Sequence, residues 1–94
     1  MKLLFLVYDV DFEEEVQEIF KETGIKEYTL WEKVLGKGTR SDPRLDTPTW
    51  PGFNQLMMIV LSDEKWEEVK GKISDLTRRP GIRGFVWDCE EVVE

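Results

Sequence analysis

The sequence predicts an α+β domain of order βαββαβ, with a four-stranded antiparallel sheet and both helices on one of its faces. Three observations predict it. The short apolar runs "LLFLVY" (Leu3 to Tyr8) and "NQLMMIVL" (Asn54 to Leu61) read as covered strands. Each is followed by a segment with apolar residues at helical spacing and then by a second stretch rich in β-branched and aromatic residues. The halves also repeat one another: "EEV" at Glu14 to Val16 returns at Glu67 to Val69, and "GIKEY" at Gly24 to Tyr28 returns as "GIRGF" at Gly81 to Phe85. Two βαβ units in 94 residues most naturally form the ferredoxin-like arrangement, a single domain over 1–94.

In the first unit, Leu3 to Tyr8 is the strand, and Asp11 with Glu14 three residues on forms a helix start. Phe12, Val16, Ile19 and Phe20 then line one helical face, and Gly24 supplies the stop. "IKEYTLWEKVL", Ile25 to Leu35, reads as a long second strand. In the second unit, Ser62 or Asp63 caps a helix whose buried face is Trp66, Val69, Ile73 and Leu76. Gly71 inside it costs about 1 kcal/mol relative to alanine, and Pro80-Gly81 ends it. "IRGFVWDC", Ile82 to Cys89, is the last strand.

Two helices cover only one face of such a sheet. Tyr28, Leu30, Phe85, Trp87 and several Met and Leu, divided between the faces, leave the second face too apolar for water. A closed homo-oligomer is the expected cover. A net charge of −7 argues against nucleic-acid or anionic-membrane binding. Without histidine and with one cysteine, the chain lacks the usual zinc, copper and haem ligand sets and any internal disulfide. Cys89 reads as a small apolar residue in a reducing cytoplasm, and the N-terminal apolar run is too short for a signal peptide or a span.

The middle strands are joined by Gly36 to Phe53, whereas hairpin loops usually take about two to five residues. A loop of that length in a compact domain is usually functional or disordered. The first part, "GKGTRSDPRLD", is polar and glycine-rich and is expected to move. The second, "TPTWPGF", has Pro48, Pro51 and Gly52 to restrict and turn the backbone, with Trp50 and Phe53 to bury area. Trp50, Pro51 and Phe53 are therefore expected to anchor the loop to the body or to a neighbouring subunit. Charge adds a further sign: Lys37, Arg40 and Arg44 lie in the loop, and Arg78, Arg79 and Arg83 surround the turn "RRPGIRG". Arginine forks beside glycine amides suit a phosphate or carboxylate, although basic residues at a helix end also complement its dipole.

"ETGIKEYTLWEKVLGKG" (Glu22 to Gly38) and "GIRGFVWDCEEVV" (Gly81 to Val93) resemble the nitrogen-regulatory PII-like proteins and the related CutA group over nearly the whole chain. The first is similar to the strand and Val-x-Gly-x-Gly approach to the family's long T-loop, the second to its B-loop and following strand. The resemblance implies ferredoxin-like subunits in trimers, with adenine nucleotides in clefts between subunits and a T-loop that signals ligand status to protein partners. Carried over, it implies ligand contacts from Gly36, Lys37 and Gly38 on one side and Arg79, Gly81, Arg83 and Gly84 on the other, to which the basic pattern of the loop adds Arg40 as a candidate ligand contact. The sequence departs from the family pattern at three points. The Gly-Asp-Gly-Lys core of the phosphate loop is reduced to Pro80-Gly-Ile-Arg-Gly84, the glutamine after Val-x-Gly-x-Gly is replaced by Thr39-Arg40, and the loop has no tyrosine. "TWPGFN" has no counterpart in the classical T-loop, so the chain reads as a divergent member in which classical 2-oxoglutarate sensing is not expected.

Other functions are weaker readings. "FEEE", "WEEV" and "CEEVVE" fit solvated faces and a tail better than a catalytic pair, and neither a histidine base nor a Walker A pattern is present. Metal handling of the CutA type would rest on Asp42, Asp46 and the terminal glutamates. A structural adaptor would use the apolar part of the loop without any small ligand.

Overall fold

The structure, a computed structural model, describes residues 1–39 and 42–93. Strands β1 (Lys2–Asp9), β2 (Thr29–Val34), β3 (Asn54–Leu61) and β4 (Ile82–Asp88) alternate with helices α1 (Glu13–Thr23) and α2 (Asp63–Leu76) in the expected order. They form one antiparallel sheet of order β2-β3-β1-β4. Each helix thus links two strands separated by a third, the ferredoxin-like topology.

Register decides which residues meet the helices. Leu6 pairs with Met57 and Gly84, Leu4 with Ile59 and Val86, and Tyr8 with Ile82. Leu4, Leu6, Tyr8, Met57, Ile59 and Ile82 are buried in one cluster with Val16 and Phe20 of α1 and Val69, Ile73 and Leu76 of α2. At Gly84 a Cβ would stand 3.0 Å from Thr77 Cγ2 and 3.3 Å from Leu6 Cδ2, so glycine lets the end of α2 settle against β4.

Alternation sends the other set to the opposite face. Phe5, Met58, Trp31, Phe85 and Trp87 follow this second parity, and Trp31, Phe85 and Trp87 are each nearly half exposed. Phe5 and Trp87 stack edge to face at 5.1 Å. Of the residues expected to be divided between faces, Leu30 lies on the helix side against the core.

Several boundaries differ from expectation for local reasons. Asp11 does not cap α1, because Asp9 Oδ1 accepts from the Asp11 amide at 3.0 Å and folds Val10–Phe12 into a 3-10 turn first. Helix α1 then starts at Glu13 with no side-chain cap. Ser62 does cap α2, accepting from the Lys65 amide at 3.0 Å. Helix α2 stops at Leu76, before Pro80 is reached, and its last turn closes as the Thr77 hydroxyl and the Arg78 amide donate to the Ser74 and Asp75 carbonyls at 3.0 and 3.3 Å. Strand β2 begins at Thr29 rather than Ile25: Ile25 follows the left-handed Gly24 cap directly and buries in the core, and Tyr28 leans on Phe20 at 5.7 Å. Cys89 lies just beyond β4, its amide donating to the Met1 carbonyl at 3.1 Å.

Candidate ligand cleft

At one end of the sheet, three segments converge on the last residues of β1. The Asp9 amide donates to the Gly81 carbonyl at 2.9 Å, and the Val10 amide to the Phe53 carbonyl at 3.2 Å. Gly81 has φ +99, and a Cβ there would stand 3.1 Å from the Phe12 ring, so the turn before β4 needs glycine for both conformation and space. The loop after β2 is pinched at its base, where Gly36 and Arg44 exchange backbone hydrogen bonds of 2.8 and 2.7 Å.

Between the loop base and this turn lies a cleft of about 230 Å³. Gly36, Lys37, Gly38 and Thr39 form one side, Gly81 and Arg83 the other, with Val7, Asn54 and Phe85 between them. Asp42 and Arg44 complete it. Gly36 fits because a Cβ would meet Asn54 Nδ2 at 3.0 Å, and nothing crowds Gly38 within 4 Å. The Arg83 guanidinium stands over the Phe85 ring at 5.1 Å from its centroid, a cation-π placement that holds the charge while leaving its edge available. Among the described residues, Lys37, Arg44 and Arg83 line the cleft with the carboxylate of Asp42, and although Asp9 pairs with Arg44, the exposed Lys37 and Arg83 make this a favourable setting for an oxyanion.

The sequence-derived residues are therefore divided. Gly36, Lys37, Gly38, Gly81 and Arg83 come together in one cleft. Arg79 instead reaches Glu15 of α1 at 2.6 Å, and Gly84 lies against Thr77 on the helix side of the sheet. Arg40 falls outside the described residues. Val7, Asn54 and Phe85 are additions to the expected site, since a strand's register must be known before its facing residues can be named. Arg44 stands out in the sequence only as a basic loop residue. Its Nε donates to Asp9 Oδ2 and its Nη1 to the carbonyls of Asp42 and Pro43 at 3.1 and 3.3 Å. The available signal is Asp9 itself, the first charge after the apolar run of β1.

The Trp50 segment is held mainly by its backbone. Thr47 and Leu45 amides donate to the Trp50 carbonyl at 3.0 and 3.4 Å, and the Asp46 amide to the Gly52 carbonyl at 2.9 Å. Asp46 (φ 55) and Gly52 (φ 89) make the reversal. Lys33 ties it to β2, with Nζ 2.6 Å from Asp46 Oδ2 and 5.7 Å from the Phe53 ring centroid. Trp50 itself is 40% exposed. With Pro51 it overhangs a second hollow, also lined by Asp9, Asp11 and Arg44.

Among the described residues, no group of three or more His, Cys, Asp or Glu is arranged to hold a metal ion, and Asp46 is engaged by Lys33. No helix among them is long and apolar enough to cross a membrane.

The sequence model described as "Nitrogen regulatory protein P-II" matches residues 1–94. The chain belongs to that family. Its fold matches CPII of Thiomonas intermedia K12, a nitrogen regulatory PII-like protein bound to ADP, AMP and bicarbonate, with a TM-score of 0.74 at 15% identity over 99% of this chain and 93% of that one. CPII bound to ADP and bicarbonate matches with a TM-score of 0.72 at 15% identity, covering 92% of this chain and 82% of that one. A PII-like signalling protein of Thermus thermophilus matches at 0.65, with 22% identity over 92% and 83% of the two chains. No curated protein matches the chain. This P-II family member is thus a PII-like regulatory protein, as the motifs around Gly36 and Gly81 implied.

Proposed function

We propose that this P-II family chain is a ligand-sensing regulatory subunit that binds a small anion or an adenine nucleotide at the loop base and presents the Gly36 to Phe53 loop to a protein partner. The observation that carries the proposal is the cleft that unites Gly36-Lys37-Gly38 with Gly81 and Arg83. Its cations suit phosphate or carboxylate groups, and the similar CPII was bound to ADP, AMP and bicarbonate. The cleft is open on the sheet face that carries Phe85, the apolar face without a helix cover. A homotrimer joined through that face would bring a neighbouring subunit to the cleft, giving a nucleotide a second wall. We assign the trimer to the cytoplasm, where the Cys89 thiol stays reduced, and read its role as regulatory rather than catalytic.

Thermal unfolding with ADP, AMP, ATP, 2-oxoglutarate and bicarbonate tests this. A ligand at about 100 times its Kd adds roughly 2.7 kcal/mol to stability. The expected result is a clear shift with at least one nucleotide or with bicarbonate, lost in Arg83→Ala. No shift with any compound overturns the ligand-sensing reading in favour of an adaptor that docks a partner directly.

A further inference from the structure

We infer that Arg44, positioned by the buried Asp9 carboxylate, is the group that orients the oxyanion in the cleft; this rests on the ligand-sensing reading above. Among the described cations of the cleft, Arg44 is the one whose side chain is held by a buried carboxylate. Asp9 is 3% exposed, and its two oxygens are committed, Oδ1 to the Asp11 amide and Oδ2 to Arg44 Nε. The Arg44 stem packs beside Gly52, where a Cβ would stand 3.3 Å from Cδ, and Nη1 is turned to the carbonyls of Asp42 and Pro43. Lys37 and Arg83, by contrast, are exposed.

The division of labour follows from physical chemistry. Arg44 is largely neutralised by Asp9, so Lys37 and Arg83 supply most of the attraction for an anion. What Arg44 adds is direction, because a guanidinium held on one edge loses little freedom when another edge meets an oxyanion. Nor can it be pulled away by the ligand. Removing one partner of a buried ion pair strands the other, which is strongly unfavourable. The same residue also lines the hollow bordered by Trp50 and Pro51.

The decisive feature is a sign. Asp9→Asn removes a negative charge beside an anion site, and a purely coulombic role for Arg44 requires tighter binding in that variant. Positioning requires weaker binding. Isothermal titration of the full chain with ADP, inorganic phosphate and bicarbonate, in wild type, Asp9→Asn, Arg44→Gln and Arg44→Lys, reads this out. Lys70→Gln, on the outer surface of α2, controls for net charge. We expect at least a tenfold loss of affinity for the best probe in Asp9→Asn and Arg44→Gln, a similar loss in Arg44→Lys, and less than a twofold change in Lys70→Gln. Which probe responds separates a phosphate source from a carbonate one. The Arg44 Nε–H resonance, assigned by its loss in Arg44→Gln, should shift on binding in wild type and return to the position of the exposed arginines in Asp9→Asn.

Affinity unchanged or raised in Asp9→Asn, with wild type binding, overturns the positioning role alone. Should Asp9→Asn fail to fold, wild-type affinity in Arg44→Lys overturns it instead. If wild type binds none of the probes, the ligand-sensing reading falls and this inference with it.

Discussion

The Tyr8 hydroxyl lies 2.5 Å from Glu13 Oε2 and 2.9 Å from Gln55 Oε1, so one buried phenol joins β1, the start of α1 and β3. It has a single proton to donate. The closer Glu13 carboxylate accepts it, so Gln55 completes the set only with its amide turned so that Nε2–H donates to the phenol oxygen. Burial, and then the hydrogen bond to the Glu13 carboxylate, raise the Tyr8 pKa far above its usual value near 10.0.

This raises a pH prediction with a definite sign. Above about pH 10 the unfolded chain loses the Tyr8 proton while the folded one keeps it, so the Tyr8 contribution is intact below that pH and declines above it. Urea titrations at pH 8 and pH 11 should show Tyr8→Phe less stable than wild type by about 1 to 3 kcal/mol at the lower pH, with the gap narrowing at the higher. A gap that widens with pH would refute the assignment.

The two helix starts predict unequal responses to alanine substitution. Ser62→Ala removes the hydroxyl that accepts from the Lys65 amide and should cost about 1 kcal/mol in chemical denaturation. Asp11→Ala removes no side-chain cap of α1, since the Asp9 side chain makes that turn. Its effect should stay within about 0.5 kcal/mol. Equal losses at both positions would mean that α1 is capped otherwise than described.

Gly81→Ala should be markedly destabilising. The position has φ +99 and its Cβ would press on Phe12 at 3.1 Å, so conformation alone costs about 1 to 2 kcal/mol before the aromatic moves. Because this turn also walls the cleft, ligand-dependent stabilisation should fall together with the melting temperature. Gly71→Ala, on α2 with nothing within 4 Å of the new Cβ, should instead gain about 0.5 to 1 kcal/mol.

The exposed aromatic face predicts association. Trp31, Phe85 and Trp87 share it, and light scattering of wild type should give three times the 11.1 kDa chain mass. Trp87→Glu should yield a monomer that keeps its far-ultraviolet circular dichroism, because Trp87 lies outside the buried core. An unchanged trimer in that variant would place the contact elsewhere.

Local patterns were the legible part. The helical faces of Val16 and Phe20 and of Val69, Ile73 and Leu76 could be read from spacing, as could the Ser62 cap and the strand order along the chain. Glycine-bearing segments around Gly36 and Gly81 marked the two sides of the cleft and carried the family resemblance. What misled were short-range signals with a competitor nearby: Asp11 has good capping chemistry, but Asp9, two residues earlier, already holds its amide. Arg79 looked equivalent to Arg83, yet it is captured by Glu15 on α1.

Periodicity and composition alone settled the α+β class, the repeated βαβ units and the surplus of apolar surface, since these depend on which side chains recur at intervals of two or nearly four residues. Tertiary structure decided which residues share the cleft. Val7, Asn54 and Phe85 reach it through strand register, and Arg44 reaches it through a carboxylate 35 positions away in the chain. Register and long-range pairing depend on how the whole sheet closes, and no local spacing encodes that closure.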